Sequence, residues 1–228
     1  MKKLLYTIGD SWTYGYGLDN PETECYPYLL SQKLGCDLIN EGLPAASNDW
    51  MFRKSIEWIL KNDISKLELF IVGWSFPWRR EENFSFYHGG HPKSERKNYA
   101  NGPDGEPISK WISENLFDER LSYIKTYTYI YTLQEILKSK KINYLFYYPL
   151  DDFFIQDDIY EKTIKSDVHD IYLQIDMDKC VGPNFDGKFV IPYEELAWGG
   201  GPCRHPNKKE TEWLADQLYK FIKENYGI

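Results

Sequence analysis

Ser11, in Ile8-Gly9-Asp10-Ser11-Trp12-Thr13-Tyr14-Gly15, is the hydroxyl best placed for chemistry in this chain. Before it, Lys3-Leu4-Leu5-Tyr6-Thr7 reads as a buried first strand, which Gly9 breaks just ahead of the serine. A serine so placed sits at the carboxyl edge of a sheet, where open α/β sheets bind ligands. In a tight turn before a helical segment, it lies near backbone N–H groups able to stabilise an oxyanion. Serine alone is a weak nucleophile and needs a base. His205, in Arg204-His205-Pro206-Asn207 ahead of the last helix, is the candidate. The plainer readings are a Gly-Asp-Ser turn and a histidine that caps or packs a helix start.

Other polar groups qualify less directly. Arg79, beside Arg80 and soon after Ser75, suits an anionic substrate group, with surface charge next to Glu81-Glu82 as the alternative. Trp12, Tyr14, Trp74 and Trp78 either line a pocket or pack the strand ends. His88-Gly89-Gly90-His91 places two imidazoles three apart in a loop without an adjacent acid or cysteine, and Asp167-Val168-His169-Asp170 reads as surface. No metal site is expected from either.

The elements that must position Ser11 and His205 follow from periodicity. Tyr26 to Gly35 reads as a helix with Pro27 in its first turn and Gly35 as its stop. Cys36 to Asn40 reads as the second strand, followed by the small-residue turn Glu41-Gly42-Leu43-Pro44-Ala45-Ala46-Ser47-Asn48. Ser47 or Asn48 caps a helix running to about Asn62, and Leu67 to Val72 is a buried strand ending at Gly73-Trp74-Ser75. Strands alternating with helices imply right-handed parallel crossovers, and so a flavodoxin-like doubly wound parallel sheet with helices on both faces. Residues 76–113 show no clear period and are expected to be a loop or lid inserted in a single domain spanning 1–228. Glu114 to Lys141 reads as one long helix and Ile142 to Tyr148 as strand four. Residues 151–188 stay open, with Val168 to Leu173 either strand or short helix. Pro192 to Trp198 suggests a short helix, and the last helix starts at Asn207 with Glu210 in a variant capping box.

Composition bounds the partners. At 228 residues with 42% hydrophobic and 27% charged, the chain is globular and one α/β domain accounts for its length. A net charge of −8 argues against a nucleic-acid surface, and the 17% aromatic content suits a groove for a sugar or another flat ligand as well as a tyrosine-rich core. Cys25, Cys36, Cys180 and Cys203 have no paired spacing, so neither a zinc site nor a disulfide framework is indicated. The apolar run after Met1-Lys2-Lys3 is too short for a signal peptide, and no stretch is long enough to span a membrane; a cytoplasmic location is expected. Frequent Lys, Asn, Ile and Tyr suit an AT-rich bacterial or viral genome.

Gly9-Asp10-Ser11, the block Asn40-Glu41-Gly42 with Ser47-Asn48, and His205-Pro206-Asn207 together resemble the SGNH (GDSL-type) hydrolases. The resemblance implies an α/β/α sandwich in which Ser11 is the nucleophile, His205 the general base and the Gly42 backbone N–H an oxyanion donor. Two places depart from the family pattern. The third block, normally Gly-x-Asn-Asp, reads Gly73-Trp74-Ser75-Phe76, which leaves Ser75 or Asn48 to replace the missing oxyanion donor. The acid usual three residues before the histidine falls at Pro202, which leaves a backbone carbonyl, Glu194 or Glu195 to hold the imidazole tautomer. The implied activity is that of an esterase or carbohydrate O-deacetylase acting on a small-molecule or carbohydrate ester. It needs no cofactor, and Trp12, Trp74 and Arg79 would contact substrate. An SGNH scaffold that binds without turnover is the alternative; a flavin or nucleotide binder fits less well, because the first loop lacks a phosphate-cradling glycine pattern. The oligomeric state is left open.

Overall fold

A computed structural model describes residues 3–77, 79–88, 91–99, 119–148, 169–182 and 205–228. In chain order the elements are β1 (Leu4–Gly9), α1 (Ser11–Tyr14), α2 (Pro21–Glu24), α3 (Tyr26–Leu34), β2 (Asp37–Gly42), α4 (Asn48–Lys61), β3 (Leu67–Gly73), β4 (Arg80–His88), β5 (His91–Tyr99), α5 (Glu119–Ser139), β6 (Tyr144–Tyr147), α6 (His169–Tyr172), β7 (Cys180–Val181) and α7 (Lys208–Tyr226).

Five strands form one parallel sheet in the order β2-β1-β3-β6-β7, the doubly wound flavodoxin-like order expected from the sequence. The inner strands β1, β3 and β6 read as largely apolar runs because both faces are covered and side chains alternate between them, whereas the edge strand β2 carries Asp37, Asn40 and Glu41. Tyr6, Ile8, Phe70, Val72 and Phe146 point into a core closed by α4 and α5. Leu5, Leu69, Ile71, Leu145 and Tyr147 point the other way, into a core closed by α3 and α7. Among the described residues no helix is long and apolar enough to cross a membrane.

Several local signals act as read. Gly35 ends α3 at φ 66, Ser47 caps α4 through its hydroxyl, and Asn62 closes that helix. Asn207 and Glu210 form a reciprocal capping box at the start of α7. Of the stretch left open as strand or short helix, His169–Tyr172 forms the short helix α6, and Val168 lies outside the described residues. Residues 114–118, the proposed helix at 192–198, Trp78, Glu194 and Glu195 lie outside the described residues.

Three strands escaped periodicity. β7 is only two residues long, too short for any repeat to show. Within the segment read as aperiodic, β4 and β5 form an antiparallel hairpin whose last pair, His88 with His91, is joined by two residues. Its register sets Glu82 against Lys97, Asn83 against Arg96 and Phe86 against Lys93, so charged and polar residues break up the apolar pattern that marks a core strand.

The capping box stands two residues after His205, so it fixes where α7 begins and with it the approach of the histidine. Asn207→Ala is expected to cost about 1 kcal/mol, read as a lower urea midpoint at unchanged slope, whereas Asn207→Ser keeps most of the stability.

Candidate active site

Gly9, Gly42 and Gly73 end three adjacent strands and stand in register, Gly9 paired with Gly42 on one side and Gly73 on the other. This row is the seat of α1. A Cβ at Gly42 would lie 2.7 Å from the Thr13 carbonyl carbon and closer still to the Tyr14 nitrogen; one at Gly9 would lie 2.8 Å from the Thr13 Cβ, and one at Gly73 2.7 Å from the Thr13 Oγ1. Only glycine lets the helix sit this low on the sheet.

Asp10 stands at the N-cap of the single turn α1, and its Oδ1 accepts from the Trp12 N–H at 3.0 Å. Gly15 closes the turn at φ 89. Ser11 therefore occupies the first helical position, where a backbone N–H has no acceptor within the helix. Its side chain is almost buried, 4% exposed, and its Oγ lies 2.8 Å from His205 Nε2. A contact across 194 positions thus joins the two residues singled out from opposite ends of the sequence. Tyr16, 46% exposed, lays its ring 4.9 Å from the imidazole at an interplanar angle of 56° and forms the rim there.

Asn40 does more than sequence reading assigned it. Its Oδ1 accepts from Thr7 Oγ1 at 3.1 Å and from the Gly42 N–H at 3.0 Å; its Nδ2 donates to the Thr13 carbonyl at 3.0 Å and meets Cys25 Sγ at 3.6 Å. A single amide thus ties the ends of β1 and β2 to α1. The available signal was a strand-end asparagine before glycine, which carries no information about partners. Thr13 Oγ1 pairs with the Tyr26 hydroxyl at 3.1 Å, and burial pushes the Tyr26 phenol well up, so it stays neutral there. Burial also raises the Cys25 thiol, which keeps it protonated and a poor nucleophile beside the serine turn.

The three expected oxyanion donors are otherwise engaged. Gly42 spends its N–H on Asn40 and acts as part of the seat. Asn48 pairs with the backbone of Ser75 in both directions, accepting its N–H at 2.9 Å and donating to its carbonyl at 2.9 Å, and gives a further bond to Thr126 Oγ1 at 3.2 Å. The Ser75 hydroxyl donates to Asp10 Oδ2 at 2.7 Å and accepts from Arg79 Nη1 at 2.6 Å. After Gly42 the chain turns through Leu43 to Ala46, closed by the Ala46 N–H on the Leu43 carbonyl, with Ala45 at φ 61, a conformation that strains any side chain.

The expected substrate contacts divide. Trp74 is fully buried with its ring edge-on to Phe146, so it belongs to the core and not to a pocket wall. Trp12 packs half-buried against the α3 and α7 side. Arg79 does not swing free for an anion: its side chain is 13% exposed and pairs with Asp10 at 2.8 Å. A cavity of about 290 Å³ opens between β2 and the short helices, with Tyr14, Glu22, Cys25, Leu38 and Asn40 in its lining and neither Ser11 nor His205.

A family described as of unknown function (DUF6071) matches residues 14–228. The chain belongs to that family. No curated protein sequence matches this DUF6071 member. Among solved structures, a psychrotrophic esterase, EstA, from Pseudoalteromonas sp. superposes with a TM-score of 0.56 at 14% identity, covering 98% of each chain. A G-D-S-L family protein from Desulfitobacterium hafniense DCB-2 gives 0.54 at 16% identity, over 96% of this chain and 99% of that one. A family two carbohydrate esterase from Clostridium thermocellum gives 0.54 at 14% identity, with all of this chain spanning 65% of it. At these identities the likeness is one of fold.

The glycine row makes a graded prediction. Gly42→Ala meets backbone atoms of α1 and should cost about 1–3 kcal/mol, whereas Gly73→Ala meets a side-chain oxygen and should cost less. Adding Thr13→Ala should restore part of the loss in Gly73→Ala and none in Gly42→Ala, as read by urea unfolding of the four variants.

Proposed function

We propose that this DUF6071 protein is a serine hydrolase of the SGNH type that cleaves an acyl ester, with Ser11 as nucleophile and His205 as general base. The observation that carries the reading is the 2.8 Å contact between Ser11 Oγ and His205 Nε2 at the carboxyl edge of the sheet. In that geometry Nε2 takes the serine proton as Oγ attacks the carbonyl carbon. The resulting imidazolium then protonates the leaving alkoxide. A water activated by the same nitrogen attacks the acyl-serine, and the acid leaves with Ser11 restored.

The negative charge of the tetrahedral intermediate falls nearest the Ser11 N–H, at the N-terminus of α1. With Gly42, Ser75 and Asn48 engaged elsewhere, the strained turn at Ala45 is the place for a second backbone donor. The substrate is a small-molecule or carbohydrate ester, and an O-acetylated sugar is the form that best suits the exposed Tyr14 and Tyr16 beside the serine turn. Two solved neighbours point the same way: the Pseudoalteromonas esterase was captured inhibited by monoethylphosphonate, and the Clostridium thermocellum esterase in complex with cellohexaose. The reaction calls for no cofactor, and the inserted segment 76–113 serves as the lid of a single domain.

The engaged donors favour one other reading, a scaffold that holds such a ligand without turning it over. A fluorophosphonate probe separates the two. Wild-type protein should gain one phosphonyl adduct by intact mass. Ser11→Ala should gain none, and His205→Ala should react about 10²–10⁴-fold more slowly. A folded wild type that takes no adduct overturns the hydrolase and leaves the binding scaffold.

A further inference from the structure

We propose that Arg79 is a positioning residue for Ser11: its guanidinium holds the Asp10 carboxylate in the one orientation that caps α1 and keeps its charge away from the reacting oxygen. What the positioned serine does rests on the serine-hydrolase reading above.

Asp10 is 1% exposed, and a carboxylate so deeply buried needs both hydrogen bonds and a counter-charge. Oδ1 accepts the Trp12 N–H at 3.0 Å; Oδ2 accepts from Ser75 Oγ at 2.7 Å and from Arg79 Nη1 at 2.8 Å. The same Nη1 reaches Ser75 Oγ at 2.6 Å, so carboxylate, hydroxyl and guanidinium close a triangle. Each corner is braced. The Ser75 backbone is held in both directions by the Asn48 amide, and the Arg79 guanidinium lies 5.3 Å from the centre of the Phe76 ring.

The arrangement answers a problem set by the sequence itself. A carboxylate immediately before the nucleophile is a liability, because an oxyanion must form one residue away. With Oδ2 tied to Arg79 and Ser75, Oδ1 is directed to the Trp12 N–H, and the Ser11 N–H is left for substrate. Released from Arg79, the carboxylate is free to turn onto the Ser11 N–H, where it would block that donor and repel the developing charge. The guanidinium thus neutralises Asp10 and also aims it, which a point charge on a flexible stem does poorly.

The test is a double-mutant cycle read two ways: the second-order rate of fluorophosphonate labelling of Ser11, and hydrogen exchange of the Trp12 amide. Arg79→Met should slow labelling roughly 10–100-fold and speed Trp12 exchange roughly tenfold. Asp10→Asn combined with Arg79→Met should recover most of both, because a neutral asparagine still caps the turn and carries no charge to be aimed. Arg79→Lys, which keeps the charge without the fork, should fall between wild type and Arg79→Met, and carries the same test if Arg79→Met does not fold. Three results would each overturn the proposal: folded Arg79→Met labelled at the wild-type rate, Trp12 exchange unchanged by it, or a double variant as slow as Arg79→Met, which would place Arg79 directly on the reacting group. Absence of labelling in the wild type counts against the hydrolase reading instead, and Trp12 exchange then decides by itself whether the Arg79–Asp10 tie exists.

Discussion

The close seating of α1 on the glycine row Gly42, Gly9 and Gly73 is the constraint on which the candidate site depends. Three strand ends without side chains let one turn of helix drop onto the edge of the sheet. That turn carries Ser11, Thr13 and Tyr14 with it. Once it is seated, the Thr13 hydroxyl meets the Tyr26 hydroxyl beneath it and the Thr13 carbonyl meets the Asn40 amide, so the serine turn is fixed from below and from the side. Bulk at any of the three positions would lift Ser11 from His205, which comes from a different part of the chain.

Charge is managed within the same small volume. The acid next to Ser11 is buried, and it is matched by Arg79 and Ser75 from the segment after β3, while Asn48 from the start of α4 holds that segment in place. Residues that a family resemblance would assign to an oxyanion thus spend their hydrogen bonds on the serine turn and its supports. Arg79, four residues beyond Ser75, takes part in that support through the Ser75 hydroxyl. His205 comes from the far end of the chain, delivered by a helix whose start is fixed by Asn207 and Glu210 and whose apolar stripe of Leu214, Leu218 and Ile222 is buried against the sheet.

Much of the fold was legible in the sequence because the energies that define it are local. Strands covered on both faces read as apolar runs, helix ends declare themselves through Ser47, Asn207 and Gly35, and the alternation of strands with helices implies a doubly wound parallel sheet. Where local signals were weak, the reading failed. Cys180 and Val181 are too few to show a period, and along β4 and β5 charged and polar residues interrupt the apolar pattern.

By itself, then, the sequence determined the α/β architecture and named Ser11 and His205, because each stands at a break between elements that local periodicity and capping define. Tertiary structure alone decided that the two meet at 2.8 Å, that Trp74 is core, and that Asn48, Ser75 and Arg79 are taken up by partners far away in the chain. The reason is physical. A donor's availability depends on what else reaches it in the folded chain, and the partner that engages it is chosen by strand order and close packing, which no spacing of residues along the sequence encodes.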